Sequence, residues 1–200
     1  HSASPTMHSA AYEACGMQAR YVTFTPDAMA LEEALRGASA LGMRGLNVTI
    51  PFKQTVLRWV DADSIATRVG AVNTITLDGW PPQATNTDVA GVERALSHHD
   101  VDPAGMSAVV LGAGGAARAA VSALVDAGAE VHIANRTAAR AEALAAELGA
   151  ESAGGLETAD RITDADLLLQ MTSVGMQGET SPVDQGLLHP ELVVFDAVYS

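Results

Sequence analysis

The sequence predicts an α/β protein: an N-terminal α/β unit followed by a doubly wound unit with a parallel sheet. Three observations carry this. After residue 105, apolar strand-like runs alternate strictly with helical patterns, the rhythm of parallel strands joined by helical crossovers. One strand, Ala108 to Leu111, runs straight into Gly112-Ala113-Gly114-Gly115-Ala116-Ala117 and then a helix, the strand–glycine turn–helix order of Rossmann-like folds. The composition is 48% hydrophobic but only 4% aromatic, so small side chains dominate and suit close helix–sheet packing.

The elements follow in order. Pro5 to Cys15 reads as a helix, with Ser4 as N-cap and Gly16 as its end. Arg20 to Thr25 alternates like a strand. Thr25-Pro26-Asp27 opens a helix to about Leu41, with apolar residues at Met29, Leu31, Leu35 and Leu41. Gly45 to Ile50 reads as a buried strand that stops at Pro51. Gln54 to Val60 is a short helix, Ala71 to Leu77 a strand, Asp78-Gly79 a turn, and Asp88 to about His99 a helix. Val101-Asp102-Pro103-Ala104-Gly105 marks a boundary, giving units 1–100 and 101–200. In the second unit, strands fall at Ala108 to Leu111, Glu130 to Ala134, Asp166 to Met171 and Leu192 to Ala197. Helices fall at Gly115 to Ala127 and Thr137 to Leu148.

The charge balance excludes some partners. Eleven Lys and Arg against 24 Asp and Glu give a net charge of -13, which disfavours nucleic acid. No run is long and apolar enough to span a membrane, and no secretory signal pattern opens the chain. Cys15 is the single cysteine, reads as a buried small apolar residue, and fits a reducing, cytoplasmic setting. The histidines lack metal-ligand spacing, so no metal is expected.

The glycine turn points to a dinucleotide. Gly112 allows the tight turn, Gly114 lets the backbone approach a pyrophosphate, and Ala117 keeps helix and strand close. The helix N-terminus offers free N–H groups and positive dipole to the anion. The second strand decides which dinucleotide. An NAD site places a carboxylate at its end, but here the chain reads Ile133-Ala134-Asn135-Arg136-Thr137, with Arg140 one turn on. Two arginines at a helix start oppose its dipole, and a bound 2′-phosphate would explain them, so NADP is preferred.

The first half holds polar groups at strand ends and helix starts: Ser2-Ala3-Ser4-Pro5, Asn47-Val48-Thr49-Ile50-Pro51-Phe52-Lys53, Ala71-Val72-Asn73-Thr74 and Asn86-Thr87-Asp88. Hydroxyls, amides, one lysine and one aspartate suit a small polyhydroxylated acid. With Asn135-Arg136-Thr137-x-x-Arg140 and Thr172-Ser173-Val174-Gly175-Met176, these motifs closely resemble the shikimate dehydrogenase family across essentially the whole chain. The resemblance implies NADPH-dependent reduction of 3-dehydroshikimate to shikimate, on an N-terminal substrate domain and a Rossmann-like cofactor domain.

Residue by residue, the resemblance implies that Ser2, Ser4 and Tyr199 meet the substrate carboxylate. Thr49, Asn73 and Asp88 bond ring hydroxyls, and Lys53 and Asp88 form the catalytic pair. It assigns Gly112, Ala113, Gly114, Gly115 and Ala116 to the pyrophosphate, and Asn135, Arg136, Thr137 and Arg140 to the adenosine phosphate. Thr172, Ser173 and Ala197 fall to the nicotinamide side. Independently of the family, Lys53 can hydrogen-bond a carbonyl oxygen, stabilise its growing charge and deliver a proton.

The sequence departs from the family pattern at its ends, where a first strand and C-terminal helices are expected, so apolar surface should be exposed there. It also carries Gln170-Met171 in place of the usual Asn-Ala, and Ser9 where asparagine is common. Two alternatives stand beside the first reading: a quinate/shikimate dehydrogenase with broader substrate and cofactor use, and a non-catalytic regulatory module of the same fold. A homodimer is the candidate assembly, with a small-molecule substrate as the main partner.

Overall fold

The computed structural model describes residues 3–176, 178 and 181–198. Two sheets organise the chain. The first is mixed and four-stranded, from β1 (Gly45–Asn47), β2 (Asp61–Ala62), β3 (Thr74–Thr76) and β4 (Gln83–Thr85), in the order β1-β3-β4-β2. β3 runs antiparallel to β1 and β4, and β2 parallel to β4. The second sheet is wholly parallel: β5 (Ser107–Leu111), β6 (Glu130–Ala134), β7 (Ser152–Gly154), β8 (Leu167–Gln170) and β9 (Val193–Asp196), in the order β7-β6-β5-β8-β9. Starting in the middle and winding outward both ways is the doubly wound arrangement. It places a crevice at the carboxyl ends of β5 and β8.

Among the described residues, six α-helices flank the sheets. α1 (Ser4–Ala14) buries no side chain. α2 (Leu31–Ala40) buries Leu31, Leu35 and Ala38, one helical stripe, and carries Glu32 and Glu33 where the dipole favours them. α3 (Ser64–Val69) is capped by the Asp63 carboxylate, which accepts from the Ala66 N–H at 2.8 Å, and ends on Gly70 at φ 67°. α4 (Asp88–His98) buries Val89, Val92 and Leu96. α5 (Gly115–Asp126) and α6 (Ala138–Leu148) are the crossovers of the parallel sheet. One apolar core joins α4 to that sheet: Val89, Val92 and Leu96 pack in the same cluster as Val110, Ala120, Leu124 and Leu169.

Several expectations need correction. Ser4 is the first residue of α1 rather than its cap; Ala3 takes the cap position with helical dihedrals (φ -78°, ψ -11°) and makes no side-chain cap bond. Cys15 is exposed, because α1 packs no face against the core. Arg20 to Thr25 forms no strand. An extended run becomes a strand only when a neighbour takes up its N–H and C=O groups, and among the described residues no strand pairs with this one. Val22 and Phe24 are exposed, as are Met17 and Ile50.

The strand at Gly45 is short and lies at the sheet edge, half-buried at best rather than buried, because only β3 pairs with it. The helix expected from Pro26 begins as a 3-10 turn, Ala28–Ala30, where Asp27 accepts from the Met29 N–H at 2.8 Å. The segment Thr55–Trp59 is likewise 3-10. β2, α3, β4, β7 and the 3-10 segments Leu156–Asp164 and Gln185–Leu187 add to the elements expected from sequence.

Candidate functional site

Backbone hydrogen bonds weave three motif segments into one surface. The Val48 N–H donates to the Asn73 carbonyl at 2.7 Å, the Val72 N–H to the Lys53 carbonyl at 2.7 Å, and the Asn73 N–H to the Thr85 carbonyl at 3.1 Å. The buried Asn86 amide donates to the Ala71 carbonyl at 2.9 Å, while its oxygen accepts from the Asp88 N–H at 2.9 Å. Segments distant in sequence are thereby held at one end of the first sheet, where β1 and β4 finish and β3 begins, and their side chains converge.

Asp88 is the point of convergence. Its Oδ2 accepts from Lys53 Nζ at 2.5 Å and its Oδ1 from Asn73 Nδ2 at 2.8 Å. Lys53 and Asp88 side chains are 16% and 30% exposed, so the pair is largely shielded yet reachable. Asp88 lies inside the first turn of α4, Thr87 being the cap residue, and the helix dipole favours its negative charge. Asn73 is fully engaged: Nδ2 also donates to Thr87 Oγ1 at 3.0 Å, and Oδ1 accepts from the Thr87 N–H at 3.0 Å and Thr74 Oγ1 at 2.9 Å.

A second line of bonds reaches this cluster from outside. His8 stacks on Tyr21 with ring centroids 4.3 Å apart. Tyr21 Oη donates to Asn47 Oδ1 at 3.2 Å, and Asn47 Nδ2 to Thr74 Oγ1 at 3.4 Å. Asn47 and Thr74 sat in the motifs without an assigned role; Tyr21 and His8 carried no sequence signal.

The glycine turn lies directly beside the lysine. The aliphatic stem of Lys53 rests on Gly115, where a Cβ would stand 2.9 Å from Lys53 Cδ. Gly112 has φ 111°, and a Cβ there would be 3.1 Å from the Met171 carbonyl oxygen, so both conformation and space demand glycine. Gly114 caps α5 in extended conformation and has open space where its side chain would be. Ala117 is fully buried beneath the turn. A backbone bare on its outer side, leading into a helix start whose first N–H groups have no intrahelical acceptor, fits a pyrophosphate.

The remaining residues divide by location. Asn135 Nδ2 donates to the Thr137 carbonyl at 3.0 Å and holds the turn after β6. Arg136 and Arg140 are exposed, and their side chains have no ion-pair or hydrogen-bond partner among the described residues. Thr137 caps α6 without a side-chain cap bond. The buried Gln170 shapes the 172–174 loop: its Oε1 accepts from the Thr172 N–H and Oγ1, both at 2.9 Å, and its Nε2 donates to the Val174 carbonyl at 2.9 Å. Ser173 is exposed on that loop, and the Ala197 N–H donates to the Gln170 carbonyl at 3.1 Å. Thr49 is exposed, and its side chain bonds none of the other described candidates. Ser4 stands at the head of α1. Ser2 and Tyr199 lie outside the described residues. Among the described residues, no group of three or more His, Cys, Asp or Glu could hold a metal ion, and no helix is long and apolar enough to cross a membrane.

Comparison with known proteins adds independent findings. Residues 1–75 match the family model described as the shikimate dehydrogenase substrate binding domain, and residues 93–177 the model described as shikimate / quinate 5-dehydrogenase. The chain is 58% identical to the shikimate dehydrogenase (NADP(+)) of Natronomonas pharaonis, over all of this chain and 75% of that protein. The crystal structure of shikimate dehydrogenase from Aquifex aeolicus superposes with a TM-score of 0.92 at 33% identity, covering 100% of this chain and 75% of that one. The Thermus thermophilus shikimate 5-dehydrogenase, solved with NADP(H) and shikimate, superposes with a TM-score of 0.88 at 37% identity, covering 98% and 74%.

Proposed function

This chain belongs to the shikimate dehydrogenase family, and from that membership we propose how its own residues carry out the reaction. The reaction is the reversible, NADPH-dependent reduction of 3-dehydroshikimate to shikimate. Bound NADPH supplies the hydride that adds to the carbonyl carbon. Lys53 hydrogen-bonds the carbonyl oxygen, stabilises the charge growing there, and gives it the proton that completes the hydroxyl. Asp88 holds the ammonium in place and accepts from the adjacent ring hydroxyl. Asn73, locked by Thr74 and Thr87, and Thr49 complete the hydroxyl contacts, while Ser2, Ser4 and Tyr199 receive the carboxylate.

On the cofactor side, the turn at Gly112, Ala113, Gly114, Gly115 and Ala116 takes the pyrophosphate. Asn135, Arg136, Thr137 and Arg140 take the adenosine phosphate, and Thr172, Ser173 and Ala197 border the nicotinamide. Residues 1–100 and 101–200 are the substrate and cofactor units, with α4 packed on the second. The exposed single thiol of Cys15 supports a cytoplasmic setting. A homodimer is to be tested by sedimentation.

One observation supports the reading: Lys53 pairs with Asp88 at 2.5 Å and its stem lies on Gly115, where a proton donor would stand beside a dinucleotide bound at that turn. It also weighs against a regulatory module, which has no need of such a pair. Substitution of Lys53→Ala in the full chain tests it, and shikimate oxidation surviving nearly unchanged refutes the assignment. The family description that includes quinate keeps a broader specificity in play. Steady-state rates with shikimate and quinate, each with NADP and NAD, separate the two; faster turnover of quinate with NAD selects the broader enzyme.

A further inference from the structure

We propose that Arg118 is a positioning residue: it clamps the end of α3 onto the start of α5 and so sets the register between the substrate-side strand ends and the glycine turn. Its guanidinium ties three elements together. Nε donates to the carbonyl of Val69, the last residue of α3, and Nη2 pairs with Glu147 of α6. The group rests on Gly70, where a Cβ would stand 2.5 Å from Nη2 and 3.1 Å from Cζ. The Arg118 side chain is only 12% exposed.

The contact is one half of a reciprocal pair. Lys53, from the substrate side, lies on Gly115 at the start of α5; Arg118, from α5, lies on Gly70 at the end of α3. Between them run Ala71, Val72 and Asn73, which are bonded to Asn86, Lys53 and Asp88 respectively. A shift of the α3 end therefore moves the lysine backbone and the Asp88 partner together, relative to the turn that takes the dinucleotide. An arginine in the first turn of a helix also works against its dipole, a local conflict that the clamp offsets. The fork meets the carbonyl and the carboxylate from two separate nitrogens held in one plane, a spread that a single ammonium reproduces only in part, so lysine is a partial substitute. Arg68, paired with Asp126 at the far end of α5, keeps α3 docked when Arg118 is removed, so a change of register is expected rather than detachment.

This inference rests on the assignment of Lys53 and Asp88 to the chemistry. An inactive parent would sink that assignment, whereas an active parent with indifferent Arg118 variants sinks only the clamp. The test is Arg118→Met in the full chain. Because misplacement by about 1 Å can cost about 100-fold, kcat should fall roughly 10- to 100-fold while KM for NADPH and for 3-dehydroshikimate stays within about 3-fold. The primary isotope effect with 4-deuterated NADPH should rise. Without cofactor, the Val72 amide should exchange its hydrogen faster in the variant. Arg118→Lys should recover part of the rate. Gly70→Ala should mimic the loss by displacing the guanidinium, and it carries the test if Arg118→Met does not fold. Unchanged kcat and amide exchange in a folded variant overturn the clamp. So does an unchanged kcat with a raised KM for NADPH, which would make Arg118 a cofactor ligand.

Discussion

Replacing Asp88 by asparagine changes one atom of the site and tests its logic. The two carboxylate oxygens each accept one bond, Oδ2 from Lys53 at 2.5 Å and Oδ1 from Asn73 Nδ2 at 2.8 Å. An amide has only one acceptor, so one of these becomes a donor–donor contact. Asn73 cannot turn over to relieve it, because its Oδ1 already accepts from Thr74 and from the Thr87 backbone. Whichever way the amide turns, its NH2 meets a donor, either the Asn73 NH2 or the Lys53 ammonium, and the lysine loses its charged partner. Breaking a buried ion pair costs about 3–5 kcal/mol, and partial exposure of this pair lowers that to about 2–3 kcal/mol. If that loss falls on the placement of the proton donor, kcat drops roughly 30- to 160-fold at about 1.36 kcal/mol per decade. KM for NADPH should hardly move, since the lysine stem still covers Gly115. Initial rates followed by NADPH absorbance read both quantities. A kcat within about 3-fold of the parent would show that the pair does not position the proton donor.

Three further outcomes follow from the same geometry. Gly112→Ala forces a side chain into a left-handed conformation and against the Met171 carbonyl; it should cost about 1–3 kcal/mol of stability in thermal unfolding and weaken NADP binding by titration. Arg136→Ala and Arg140→Ala should each raise KM for NADP about 10-fold while leaving KM for NAD unchanged, because a charge-assisted phosphate bond is lost only with NADP; equal effects on both cofactors would place the arginines elsewhere. Burial, and then the nearby Arg161, hold the His132 pKa below 6.5, with Asp160 and Glu151 opposing. Thr158 Oγ1 donates to the Gly155 carbonyl, so it accepts from His132 Nε2 at 2.8 Å; Ser152 then donates to Nδ1 at 2.8 Å, and the ring is neutral. The unfolded chain binds the extra proton first, so this contribution is present above pH 6.5 and is lost as pH falls through it. Urea midpoints at pH 7.5 and 5.5 should differ more in the parent than in His132→Asn, and equal slopes would contradict the buried neutral ring.

The parallel sheet was legible because β5 and β8 are short, nearly continuous apolar runs and β5 leads straight into the turn at Gly112, a pattern that few other structures share. β7 was not, since Ser152-Ala153-Gly154 has no strand preference of its own and becomes a strand only by pairing with β6. Arg20 to Thr25 shows the reverse case, an alternation with no neighbour to complete it. In the site, Lys53, Asn73 and Asp88 were legible as motif members at strand ends. Their convergence was not, because no spacing tells that residue 53 rests on residue 115. Arg118 escaped notice for a sharper reason: its partner is the backbone carbonyl of Val69, and a carbonyl leaves no mark in the sequence.

The charge of the chain and the charge of the site point in opposite directions. A net charge of -13 would repel a phosphorylated cofactor and a carboxylate substrate from a uniform surface. Yet the first turns of α5 and α6 carry no acidic residue. Arg118, Arg136 and Arg140 lie in or beside those turns, and the Lys53 stem rests on the start of α5. Asp88 is the exception, and it is neutralised by Lys53. Anions therefore meet two helix N-termini and the free guanidinium groups of Arg136 and Arg140, whereas Arg118 is already paired with Glu147. Because exposed charges are screened beyond about 10 Å at 0.1 M salt, the local balance and not the total decides what binds. Moving one carboxylate to the end of β6, as in Asn135→Asp, should thus act on the cofactor far more strongly than its single unit of charge in -13 suggests, raising KM for NADP and lowering it for NAD.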